Sequence, residues 1–144
     1  MSKLIMVSNR LPVRIDAHGI ATRTAGGLVS ALEGAALDIE QVWVGWPGCA
    51  VEEFEDLATV RAELARTGVA PVFLTRDDVI GFYEGYSTGT LWPLLHYMVE
   101  RATFSKDWWE VYRRANQKFA DVIMDVADEG DQVWIHDYHL FLVP

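Results

Sequence analysis

Short apolar runs separated by stretches of helical periodicity constrain this chain more than any other feature. The runs are Leu4-Ile5-Met6-Val7, Gln41 to Trp46, Pro71-Val72-Phe73-Leu74 and Asp131 to His136. A run without a polar face suits a strand buried between two layers, as in parallel sheets. Between the runs, apolar residues recur at helical spacing: Leu28, Ala31, Leu32, Ala35 and Ala36 behind Ala25-Gly26-Gly27, then Leu57, Val60 and Leu64 ahead of Gly68. Leu91, Leu94, Leu95, Met98 and Val99 form another stripe, with Pro93 in its first turn. Trp108, Tyr112, Ala115, Phe119, Val122 and Val126 predict a long amphipathic helix from near Lys106 to near Ala127. The alternation predicts an α/β fold: an open, mostly parallel sheet with helices on both faces. Arg14 to Thr24 reads as a loop and Phe82 to Thr90 as an irregular segment.

Length and charge narrow the function. The 144 residues fit one domain with a real core. A net charge of −9 argues against nucleic acid or an anionic membrane as the main partner, because both demand clustered Lys and Arg. No apolar stretch approaches the roughly 18–20 residues that span a bilayer, and no signal peptide is evident. Cys49 is the only cysteine, which excludes an internal disulfide and a multi-cysteine zinc site. The expectation is a soluble cytoplasmic protein.

In open α/β sheets ligands bind at the carboxyl ends of the strands. Ser8-Asn9-Arg10, Trp46-Pro47-Gly48 and Asp137-Tyr138-His139 follow three of the runs and should converge on one rim. Arg10 suits a phosphate held bidentately, or a surface ion pair. Gly26-Gly27 ahead of a helix allows close approach of an anion such as a diphosphate, or is only a flexible turn. Tyr83, Tyr86 and Trp92 suit a sugar site or ordinary packing. Asp137 serves as a hydrogen-bond acceptor for a sugar hydroxyl, as a base, or as a helix cap. A metal at His136, Asp137 and His139 is disfavoured, because neighbouring strand-end side chains diverge. Cys49 lacks a partner base, the acidic run 52–56 reads as a solvated helix start, and His96 as a satisfied buried histidine.

Five blocks carry a resemblance: Ser8-Asn9-Arg10-Leu11-Pro12, Ala25-Gly26-Gly27-Leu28, Trp43-Val44-Gly45-Trp46-Pro47-Gly48, Tyr83 through Tyr97 and Val133 through Pro144. In order and spacing they resemble the trehalose-6-phosphate synthase family of retaining glycosyltransferases. Thr88 departs from the asparagine usual there. The resemblance implies the N-terminal, acceptor-side portion of a GT-B enzyme, with a partial Rossmann-like domain over residues 1–144 and the nucleotide-sugar domain absent. It implies transfer of glucose from UDP-glucose to glucose-6-phosphate, without metal or cofactor, and a chain inactive by itself. Arg10 would bind the acceptor phosphate, and Tyr83 and Trp92 would shape the acceptor pocket. Gly27 would admit the donor diphosphate, Asp137 would contact a sugar at the reacting centre, and Trp46 would line the cleft. The last strand would leave an exposed sheet edge open to self-association. Two alternatives stay open: a stand-alone, non-catalytic sugar-phosphate-binding or regulatory module, and a related glucosylglycerol-phosphate synthase.

Overall fold

The computed structural model describes residues 2–24, 26, 30 and 38–144. The helix expected behind Ala25-Gly26-Gly27 lies outside the described residues. Strands β1 (Leu4–Arg10), β4 (Gln41–Trp46), β5 (Val69–Pro71) and β6 (Gln132–Ile135) form one sheet in the order β5-β4-β1-β6. All three pairings are parallel, with Ile5 opposite Val42 on one side and Val133 on the other. The expected parallel α/β architecture is therefore present.

The continuous apolar character of β1 follows from burial on both faces. Ile5 and Val7 join Val44, Phe82, Tyr112 and Phe119 on one side. Leu4 and Met6 join Trp43, Val60 and Leu64 on the other. Helix α1 (Leu57–Arg66) covers the second face; Asp56 caps its first turn by accepting from the Ala58 amide at 3.0 Å, so the acidic run does end as a helix start. Helix α3 (Lys106–Val126) covers the first face with its expected stripe, and Ser105 accepts from the Trp108 amide at its start. No helix among the described residues is long and apolar enough to cross a membrane.

Four local expectations are corrected. Residues 14–24 are not a plain loop: β2 (Val13–Ile15) and β3 (Ala21–Arg23) pair as an antiparallel hairpin. The third sheet strand begins earlier than its most apolar residues, and Pro71, which has no N–H to donate, sits on an edge strand where that is tolerated. The segment read as irregular is helical. Helix α2 starts as α over Arg76–Asp78, runs as a π-helix over Val79–Leu91 and returns to α over Trp92–Leu95. Its glycines hid it, because glycine is a poor helix former. They are there for close approach: a Cβ on Gly81 would lie 2.7 Å from Val111, and one on Gly85 would lie 2.8 Å from the Trp108 ring. Finally, the stripe continuing to Val99 is broken. Tyr97 takes φ 59°, the Met98 amide donates back to the Pro93 carbonyl at 2.9 Å, and Tyr97 is 97% exposed.

Asp78 ties α2 to α3. Its buried carboxylate accepts from Arg114 at 2.9 Å, Lys118 at 2.5 Å and the Thr75 amide at 3.0 Å. Burial pushes its pKa up, but hydrogen bonds from Lys118, Thr75 and Arg114 outweigh burial and hold it below the usual carboxylate range. Above the unfolded pKa of about 3.9 the ionised group stabilises the fold, and that contribution is lost as pH falls through the lower folded value. Urea unfolding at pH 6 and pH 3 should therefore show a smaller acid-side loss in Asp78→Asn than in the parent. Equal losses would exclude Asp78 as a source.

Candidate functional site

The carboxyl ends of β1 and β6 and the side of α2 enclose a cleft of about 310 Å³. Asn9, Arg10, Tyr83, His136, Asp137 and His139 line it. Arg10 ends β1, exposed, with its guanidinium 5.1 Å from the centre of the Trp46 ring. Trp46 is 4% exposed and donates its indole N–H to the Cys49 carbonyl at 3.0 Å. It lies 5.9 Å from the Tyr83 ring, so it supports Arg10 and Tyr83 from below rather than lining the cleft.

The turn after β4 makes room for Arg10. Gly48 has φ 96°, and a Cβ there would lie 2.3 Å from Arg10 Nη2 and 2.7 Å from Cζ. Gly48→Ala should displace the guanidinium as well as strain the turn. If Arg10 holds a phosphate, as the sequence leads one to expect, the outcome is a loss of phosphate affinity of about tenfold, with modest destabilisation on the order of 1–2 kcal/mol. Titration alongside thermal melting checks both; unchanged affinity would show that Arg10 needs no such slot.

Tyr83 packs against His139, with ring centres 5.8 Å apart and planes 23° from parallel. Asp137 is exposed, takes φ 74° and ψ 168°, and accepts from the Tyr138 amide at 2.9 Å, capping the short turn Tyr138–Leu140. Such a backbone conformation is nearly confined to glycine and costs on the order of 1–3 kcal/mol, which is characteristic of functional positions. Trp92 sits outside the cleft lining, 43% exposed, with Tyr138 at 5.8 Å and His96 at 3.7 Å between ring centres. His96 is exposed, a correction to the buried reading, with Nδ1 2.7 Å from the Trp92 carbonyl oxygen. Gly27 lies outside the described residues. The structure thus brings together Arg10, Tyr83 and Asp137, places Trp46 beneath them and Trp92 to one side.

Two residues of α3 hold the 137–142 segment in place. Tyr112 donates to the Tyr138 carbonyl at 2.7 Å and accepts from the Phe141 amide at 3.2 Å. Burial pushes its pKa up to about 12. Asn116 donates to the His139 carbonyl at 3.1 Å and accepts from the Leu142 amide at 3.1 Å. Sequence reading assigned Tyr112 only to the core and passed over Asn116. The available signal was a carboxamide four residues on from Tyr112, inside an apolar stripe. Burial lowers the pKa of both His136 and His139, against an opposing pull from Asp137. Burial thus favours the neutral form of both imidazoles, which line the cleft beside Arg10 and Asp137. Among the described residues no cluster of His, Cys, Asp and Glu could hold a metal ion.

A parallel α/β sheet with a polar cleft at its strand ends is the ligand-binding arrangement of the Rossmann-like class. Within that class the chain belongs to glycosyltransferase family 20, whose family model matches residues 2–144. It is 45% identical to a bifunctional trehalose-6-phosphate synthase/phosphatase of Thermoproteus tenax, over 99% of this chain and 20% of that protein. It superposes on the crystal structure of an alpha,alpha-trehalose-phosphate synthase (UDP-forming) from Burkholderia vietnamiensis with a TM-score of 0.75 and 30% identity, over 99% of this chain and 29% of that one. The Burkholderia xenovorans enzyme of the same name, in complex with glucose-6-phosphate, gives a TM-score of 0.74 and 29% identity, again over 99% and 29%. The chain thus spans between a fifth and a third of the length of these relatives.

Proposed function

We propose that this chain forms the acceptor side of a trehalose-6-phosphate synthase and binds glucose-6-phosphate in the cleft at the ends of β1 and β6. The convergence of Arg10, Tyr83 and Asp137 there carries the reading. It is supported by the relative whose structure is described as a complex with glucose-6-phosphate. Arg10 holds the phosphate, Tyr83 offers a ring face and a hydroxyl to the hexose, and Asp137 accepts from a sugar hydroxyl at the reacting centre. Trp46 keeps Arg10 and Tyr83 in register, and Trp92 closes the outer side of the acceptor pocket. Gly27 lets a donor diphosphate approach.

Completed by a donor-binding part of the kind the longer relatives have room for, the site transfers glucose from UDP-glucose to glucose-6-phosphate. The products are trehalose-6-phosphate and UDP. The protein works in the cytoplasm, in keeping with its single unpaired cysteine. The outer edge of β6 is where a further strand pairs, from the same polypeptide or from a second copy. Calorimetric titration with glucose-6-phosphate tests the acceptor site, with glucose as control. Phosphate-dependent binding supports it; a folded chain that binds neither compound refutes it. Release of UDP by a longer form of the protein separates the synthase from a module that only binds.

A further inference from the structure

We infer that Asn9 is a sugar-reading residue of this cleft, its carboxamide hydrogen-bonded to a hydroxyl of the hexose whose phosphate Arg10 holds. The inference rests on the proposed sugar-phosphate site and adds to it a contact that none of the site residues above supplies. Asn9 is only 7% exposed, yet it is one of the residues that line the cleft. Its Oδ1 is buried with no hydrogen-bond partner among the described residues. Such orphans are rare in folded proteins, because a buried unpaired acceptor forfeits its bond to water.

The orphans here are not scattered. Of the four buried side-chain atoms without a partner among the described residues, Asn9 Oδ1, His136 Nε2 and His139 Nδ1 all belong to residues lining this cleft. A polyhydroxylated ligand answers such a set, since each of its hydroxyls both donates and accepts. The backbone reinforces the point. Consecutive strand residues point to opposite faces, so Asn9 and Arg10 would ordinarily not share a cleft. The pairing of β1 with β4 loses its regular register between Val7 and Arg10. An irregularity of that kind can re-aim a side chain, and it falls on the stretch whose residues Asn9 and Arg10 both line the cleft.

The test compares two ligands, glucose-6-phosphate and inorganic phosphate, titrated into the whole chain, with circular dichroism confirming the fold. Asn9→Leu keeps the branched shape of the side chain and removes the polar group. It should weaken glucose-6-phosphate about tenfold and leave phosphate within about twofold. Asn9→Asp keeps an acceptor oxygen and adds charge, so it should weaken both ligands while retaining most of the preference for the sugar phosphate. A parallel loss of both ligands in Asn9→Leu, or no loss at all, overturns the inference and leaves the acceptor site standing. A failure of the unaltered chain to bind glucose-6-phosphate overturns both. Should Asn9→Leu not fold, Asn9→Ala removes the carboxamide without adding bulk, and an unchanged preference for glucose-6-phosphate over phosphate in that variant refutes the role by itself.

Discussion

Arg10→Ala should reduce the affinity of the chain for glucose-6-phosphate by roughly 30- to 150-fold, since hydrogen bonds to a charged group are worth about 1.5–3 kcal/mol each and a bidentate pair sits toward the upper end. Binding of glucose, which has no phosphate, should not change. Arg10→Lys keeps the charge but loses the planar fork and the stack on Trp46, so an intermediate loss is expected. Raising the salt concentration should weaken the parent more than Arg10→Ala, because the lost interaction is electrostatic. Calorimetry across these variants would sink the assignment if glucose and glucose-6-phosphate weakened together. That result would make Arg10 a structural residue of the rim.

The largest effect on stability is expected from Phe119→Ala, about 3–5 kcal/mol by the usual cost of emptying a buried aromatic site. Phe119 is fully buried, with its ring centre 6.0 Å from that of Phe82, which lies 5.9 Å from Tyr112. The substitution removes the wedge between α3 and the helix that carries Tyr83, so ligand affinity should fall with stability. Met124 on the same helix is 76% exposed, and Met124→Ala should stay within about 0.5 kcal/mol. Urea unfolding of the two variants distinguishes a packing role from a general weakness of the helix. A loss below about 1 kcal/mol for Phe119→Ala would mean that the face collapses to refill the space.

These effects also mark how far the residues spoke for themselves. β1 and β4 were legible because strands buried on both faces leave unbroken apolar runs, and α3 because its stripe holds over many turns. The π-helical stretch was not, because Gly81, Gly85 and Gly89 are chosen for their fit against Val111 and Trp108, which lie far along the chain. The hairpin of β2 and β3 was hidden by its brevity. At the site, strand ends pointed to Arg10 and Asp137, and the aromatic cluster together with the family resemblance pointed to Tyr83. What stayed invisible were supports whose meaning depends on distant partners: Gly48 under the Arg10 guanidinium, and Asn116 holding the main chain on either side of Phe141. Local pattern reports which face a residue occupies, and not which neighbour it will meet.

Asp137 is the only carboxylate among the described residues lining the cleft, and it occupies a backbone conformation that glycine would adopt freely. Chemistry and durability therefore pull in opposite directions at this position. Selection for heat resistance alone would favour glycine there and discard the carboxylate, since the cap it provides is replaced at a cost of only a few tenths of a kcal/mol. A laboratory programme to toughen this protein by melting temperature would find its gain at residue 137 and lose the cleft's carboxylate in the same step.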